Sequence, residues 1–349
     1  MGEQKRIVYF DVLNILACFC VICLHCNGVV HYLYSNLRVW YQALFIETIC
    51  YWAVPVFFML TGATLLKYRQ RYDTKEFFKK RVVRTLIPWL FWSIIIYIMK
   101  LLYQGAENGY QLATLSEFIS MLLTNKIESV YWFFPALFAI YLSIPVLSLL
   151  TEVENSKKIF WYMFAVGFIT YSVCPIIFKL AQISWNSALQ FPMLGGGYIL
   201  FVVLGYLLSK EDVPQKYRYL IYGLAVGCIV FRYIGTVVLS ANDGAVNKTL
   251  FGYVQFHSVI LAAAVFLFFK YLPWGKFPQK WASFLSRVSG CSLGIYLIHK
   301  LVMTFFIEVF SIQVTMWEWR YLAPFVIYLI CLCIVSILKN IPILKNLVP

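Results

Sequence analysis

Followed along its apolar and polar positions, the chain is a series of long apolar runs joined by short polar connections. Runs of about 17 to 25 apolar residues are long enough to cross a bilayer as helices, and about ten occur, at roughly 8–29, 43–66, 86–103, 130–150, 159–178, 191–208, 219–239, 251–270, 288–310 and 320–338. The pattern predicts an all-α, polytopic membrane helical bundle with both termini cytoplasmic. The longest connections are 67–85 and 104–129, so 1–349 is expected to form a single integral membrane domain with no appended soluble domain. Pro55, Pro135, Pro145, Pro175 and Pro192, with the run Gly195-Gly196-Gly197, predict kinked or broken helices. Breaks of this kind are tolerated at membrane depth only where protein or a water-filled cavity satisfies the freed backbone, which implies a polar interior.

Composition agrees. Of 349 residues, 62% are hydrophobic and only 13% charged, about half the usual charged share, which excludes a soluble domain. The net charge of +14 then needs a reason. Lys and Arg are interleaved with apolar runs, so orientation and anionic headgroups account for them, and no nucleic-acid partner is expected. With the N-terminus inside, 21 of the 29 Lys and Arg fall on cytoplasmic segments, among them Lys5 and Arg6, and 6 fall outside. Arg232 and Lys300 lie within spans and are read as snorkelling. Most of the ten cysteines sit in apolar runs and are read as packing residues. Cys23, His25 and Cys26 point in different helical directions, so no metal site is expected.

The first span carries the unusual polar residues. At about 100° per residue, Asn14 lies ~20° and Asp11 ~40° in azimuth from His25, so the three share one stripe about 60° wide. Polar groups at membrane depth usually face a cavity. His25 is thus a candidate catalytic base, or else a hydrogen-bonded structural histidine, and Asp11 is a supporting residue or an interfacial acid near a helix N-terminus. Glu47 lies at the depth of His25 in the second span, so it is the candidate partner holding one ring nitrogen, with an interfacial carboxylate as the alternative. His257 is placed in the same cavity, and His31 in a loop.

The connection after the second span is the other feature. Asp73-Thr74-Lys75-Glu76 has the form of a helix N-cap with an acid three residues on. Phe77, Phe78, Val82 and Val83 alternate with Lys79, Lys80, Arg81 and Arg84, which describes an amphipathic helix on the inner surface. Arg81 and Arg84, three apart, are expected on one face, where two guanidinium groups grip phosphate; positive-inside topology and contact with anionic membrane lipids explain the same charges.

Taken together, these residues resemble the acyltransferase-3 family of integral membrane acyltransferases. The likeness is carried by Phe10 through Ala17 with His25, Val54 through Gly62, Phe77 through Arg84 with Pro88, Trp132-Phe133-Phe134 with Tyr141 and Pro145, Gly205-Tyr206, and Ser292 through His299. The resemblance implies a stand-alone enzyme of a bacterial plasma membrane that moves an acyl group, acetyl above all, from acyl-CoA as co-substrate to a hydroxyl of a surface glycan or glycolipid. It assigns catalysis to His25 and the acyl-CoA side to Arg81 and Arg84, and Lys79 and Lys80 beside them are expected to supply further cations for the acyl-CoA phosphates. Trp132, Ser292, Tyr296 and His299 enter as supporting residues. Asn14 stands where the family commonly has Arg or Lys, Thr61 where Ser is usual, and Tyr131 where His is frequent. A transporter or flippase of a polysaccharide precursor, or a non-catalytic partner of a polysaccharide synthase, also fits ten spans with intramembrane ionisable residues.

Overall fold

The computed structural model describes residues 7–104, 114–342 and 344–349. Lys5 and Arg6 of the charge pattern lie outside them. In chain order the helices are α1 (Val8–Cys26), α2 (Leu37–Cys50), α3 (Ala53–Leu65), α4 (Thr74–Arg81), α5 (Ile87–Gln104), α6 (Leu115–Leu123), α7 (Phe133–Leu150), α8 (Ser156–Gly167), α9 (Cys174–Leu180), α10 (Ile199–Lys210), α11 (Gln215–Asp243), α12 (Phe256–Lys270), α13 (Gln279–Gly290), α14 (Ser292–Val309) and α15 (Ala323–Asn340). No strand occurs among the described residues. Eight helical stretches among them are long and apolar enough to cross a membrane, as an all-α polytopic bundle requires.

Two of the expected runs are shorter. Residues 191–208 become α10 and 251–270 become α12, because Pro192 and the Gly195–Gly197 turn hold back the first, and the turn at 251–255 holds back the second. Gly195 and Gly196 adopt φ of 85° and 75°, where a side chain is strained. Residues Ile199 to Leu208 of α10 are all buried, the mark of a helix surrounded by protein rather than lipid. It packs backbone to backbone on α3. A Cβ on Gly62 would collide with the Val202 carbonyl and one on Gly205 with the Met59 carbonyl, so both sites require glycine.

Asp73 caps α4 as predicted, its carboxylate accepting from the Glu76 amide at 2.8 Å. The helix does not stand apart, however: it runs through a π-helical turn, Val82–Leu86, into α5. Phe77 is fully buried against the rings of Tyr68 and Tyr141, which pins α4 to the bundle. Two further π-helical turns, Phe168–Val173 and Glu318–Leu322, precede α9 and α15. In all three cases a proline follows two residues on: Pro88, Pro175 and Pro324.

Candidate active site

The stripe on α1 opens onto two interior spaces. The first, a cavity of about 410 Å³, is walled by Asp11 and Asn14 of α1, Thr61 and Thr64 of α3, Arg81, Tyr141, and Ser289, Ser292 and Tyr296. Asn14 donates from its amide to the Ser289 carbonyl at 2.9 Å and hydroxyl at 3.0 Å, tying α1 to α13. Asp11 is buried. Arg81 is the sole cation among the described residues lining this space; its guanidinium rests on the Phe77 and Tyr141 rings, and its Nε has no hydrogen-bond partner among the described residues. The buried Ser292 hydroxyl is likewise without one. Buried donors are normally satisfied, so such orphans mark a place for a ligand or water.

The expected pairing of Arg81 with Arg84 on one face is not what the structure shows. Arg81 lines the cavity while Arg84 is exposed. The reason is the π-helical turn that begins at Val82: an i→i+5 ladder rotates less per residue, so three residues no longer bring the two side chains together. Lys79 is exposed, and Lys80 pairs with Glu76 at 3.5 Å over the Tyr72 ring.

His25 lies further along α1, a rise of ~16 Å from Asn14 at 1.5 Å per residue. It borders two adjoining cavities, one of about 280 Å³ with Glu47, His31, Tyr51, Trp132, Tyr253 and Tyr296, the other of about 480 Å³ with His31, Ser129, Trp132 and Lys300. Its ring stacks on His299. His299 is fully buried, and its Nδ1 lies 2.6 Å from the Tyr296 carbonyl, which only an Nδ1–H can satisfy. The Nε2 is therefore a bare acceptor, with no partner among the described residues.

Glu47 does reach the depth of His25, lining the same 280 Å³ cavity, but its carboxylate does not hold the imidazole. It pairs instead with Arg232 of α11, at 3.4 Å, and the same guanidinium donates to the Glu47 carbonyl at 2.9 Å and the Leu250 carbonyl at 3.1 Å. Arg232 does not snorkel. It is 2% exposed, and these bonds replace the water it has lost. It sits 3.6 Å from the centroid of the Tyr51 ring, which stacks on Tyr253 (4.1 Å, 7°), which stacks on Trp132 (5.4 Å, 22°). Of this column, Tyr51, Tyr253 and Trp132 form one side of the smaller His25 cavity, with Arg232 behind Tyr51.

His257 is satisfied locally, by Gln255 at 2.8 Å and Ser258 at 3.2 Å, and lines neither space beside His25. His31, read as a loop residue, borders both cavities around His25 from a 3₁₀ turn, Gly28–His31. The sequence signal that would have found it is proximity: His31 follows the end of α1 by one short turn. Tyr296 belongs to the walls of both the Arg81 cavity and the smaller His25 cavity.

The acyltransferase-3 family, described as an acyltransferase domain, matches residues 7–341, and the chain belongs to that family. No curated protein and no solved structure matches it.

Proposed function

We propose that the protein moves an acyl group, acetyl above all, from cytosolic acyl-CoA to a hydroxyl of a cell-envelope glycan or glycolipid at the far side of a bacterial plasma membrane. The observation that carries this reading is the position of Tyr296, a wall of both the cavity holding Arg81 and the cavity holding His25. The excess of Lys and Arg assigns the Arg81 end to the cytosol. There the orphaned Nε of Arg81 and hydroxyl of Ser292 suit a phosphate-bearing donor, with the pantetheine arm running along α1 towards His25.

At His25 the chemistry is balanced as follows. The acceptor oxygen attacks the thioester carbonyl, the C–S bond breaks, and an imidazole nitrogen takes the hydroxyl proton and returns it to the departing thiolate. The stack of Trp132, Tyr253 and Tyr51 beside the Glu47 carboxylate supports a sugar acceptor, whose CH faces pack on aromatic rings while its hydroxyls seek polar groups. Membranes holding the protein are incubated with radiolabelled acetyl-CoA. Incorporation into membrane or glycan falls to background in His25→Ala, and unchanged incorporation removes His25 from the reaction.

A further inference from the structure

The larger cavity beside His25 contains a cation that the reaction above does not use. Lys300 follows His299 on α14, is half-buried, and makes no hydrogen bond or ion pair with any described residue. No Asp or Glu lines that cavity among the described residues; His31 does. A lysine ammonium held within a membrane bundle, without an acid, is costly and is normally matched by an anion.

Trp319 joins this cavity to a groove of about 290 Å³. The groove runs between α14 and α15 and is lined by Phe306, Ile312, Met316, Leu322 and Val326; Glu318 stands beside it, yet no polar atom faces into it. Met316, Leu322 and Val326 are exposed on the outside of the bundle. The floor is the π-helical turn Glu318–Leu322, the kind of local widening that recurs at functional sites. An apolar slot thus opens from the bilayer beside an unpaired cation, and both lie next to the candidate base.

We infer that the acyl acceptor is a membrane lipid with a phosphate-bearing headgroup: its tail occupies the groove between α14 and α15, its phosphate pairs with Lys300, and its headgroup hydroxyl reaches His25. This rests on the reading of His25 as the acyl-transfer centre, and it selects the lipid-linked member of the proposed acceptor class. The acceptor then arrives sideways from the bilayer, while acyl-CoA arrives from the Arg81 end. A water-soluble glycan has no use for the groove.

The test labels membranes holding the full chain with radiolabelled acetyl-CoA and separates a chloroform–methanol extract from the aqueous glycan. His25-dependent label is expected in the organic extract. Lys300→Ala lowers that label about tenfold, the loss of one charge-assisted contact, and Lys300→Arg restores most of it. Val326→Trp and Met316→Trp, which fill the groove from its exposed side, lower it to a similar degree with the KM for acetyl-CoA unchanged. His25-dependent label confined to water-soluble glycan overturns the inference, as does organic label indifferent to Lys300→Ala, Val326→Trp and Met316→Trp. Label that does not depend on His25 at all defeats the underlying function instead, so the two failures are distinguishable.

Discussion

The imidazole of His25 lies stacked on that of His299, ring centroids 5.1 Å apart and planes inclined by 29°. What fixes His299 is backbone. Its own Nδ1 bonds the Tyr296 carbonyl, while the Tyr296 hydroxyl donates to the Val130 carbonyl at 2.6 Å and the Tyr131 hydroxyl returns the contact to the Leu297 carbonyl at 2.7 Å. This reciprocal clamp between α14 and the 3₁₀ turn Ser129–Trp132 holds one imidazole as a platform for the other.

On the proposed reaction His299 acts as a positioning residue. His299→Phe keeps an aromatic ring against His25 but removes the bare Nε2. The expected result is a fall in kcat of about tenfold, one hydrogen bond's worth of transition-state stabilisation, with the acyl-CoA KM unchanged. Steady-state kinetics decide it; an unchanged kcat reduces His299 to packing alone.

The buried pair of Glu47 and Arg232 gives a stability prediction. Arg232→Met leaves a carboxylate buried without its partner, a loss of about 3–5 kcal/mol, whereas Glu47→Gln keeps a hydrogen-bonding group of the same shape and costs less. Combining Arg232→Met with Glu47→Leu removes both charges, so the double variant unfolds at a higher temperature than Arg232→Met alone. Thermal unfolding in detergent measures all of them. Strictly additive losses would mean that the 3.4 Å contact carries no coupling.

Arg81 and Arg84 are three residues apart yet face different surroundings, one a cavity and the other the exposed surface. Arg81→Ala removes the only cation among the described residues lining the cavity proposed for the donor, and raises the acyl-CoA KM by about tenfold to a hundredfold. Arg84→Ala, on an exposed side chain, changes it less than about twofold. Equal effects would show that the two guanidinium groups act together in the bound state.

Much of this was legible in the sequence, and the reasons are local. Apolar run length gave eight of the ten expected spans, the Asp73 cap started α4 where expected, and the azimuths of Asp11, Asn14 and His25 put all three on cavity walls. Depth along the membrane placed Glu47 beside the His25 cavity. Its true partner was hidden, because Arg232 is 185 residues away on α11 and no one-dimensional pattern says which way α11 faces α2. Arg84 was misplaced for a different reason. The face of a helix is computed from a constant turn, and the π-helical turn at Val82 breaks that constancy.

The three prolines explain those π-helical turns and lead to a last prediction. A helical proline has no N–H for the carbonyl four residues back and its ring clashes there, so the ladder widens just ahead of Pro88, Pro175 and Pro324. For Pro324 the carbonyl left over belongs to Arg320, and it accepts from the Asn27 amide at 3.0 Å. Asn27 is the residue that ends α1, two positions after His25, and it also bonds the Cys23 carbonyl at 3.0 Å. Pro324 therefore helps hold the end of α1 by leaving one acceptor free. Pro324→Ala supplies a competing N–H for that carbonyl and loosens Asn27, at a cost of about 1 kcal/mol, or roughly fivefold in kcat. Asn27→Ala loses the same bond from the other side. Since both changes break one contact, the double variant is no slower than the slower single, and losses that multiply would show that the two residues serve His25 separately.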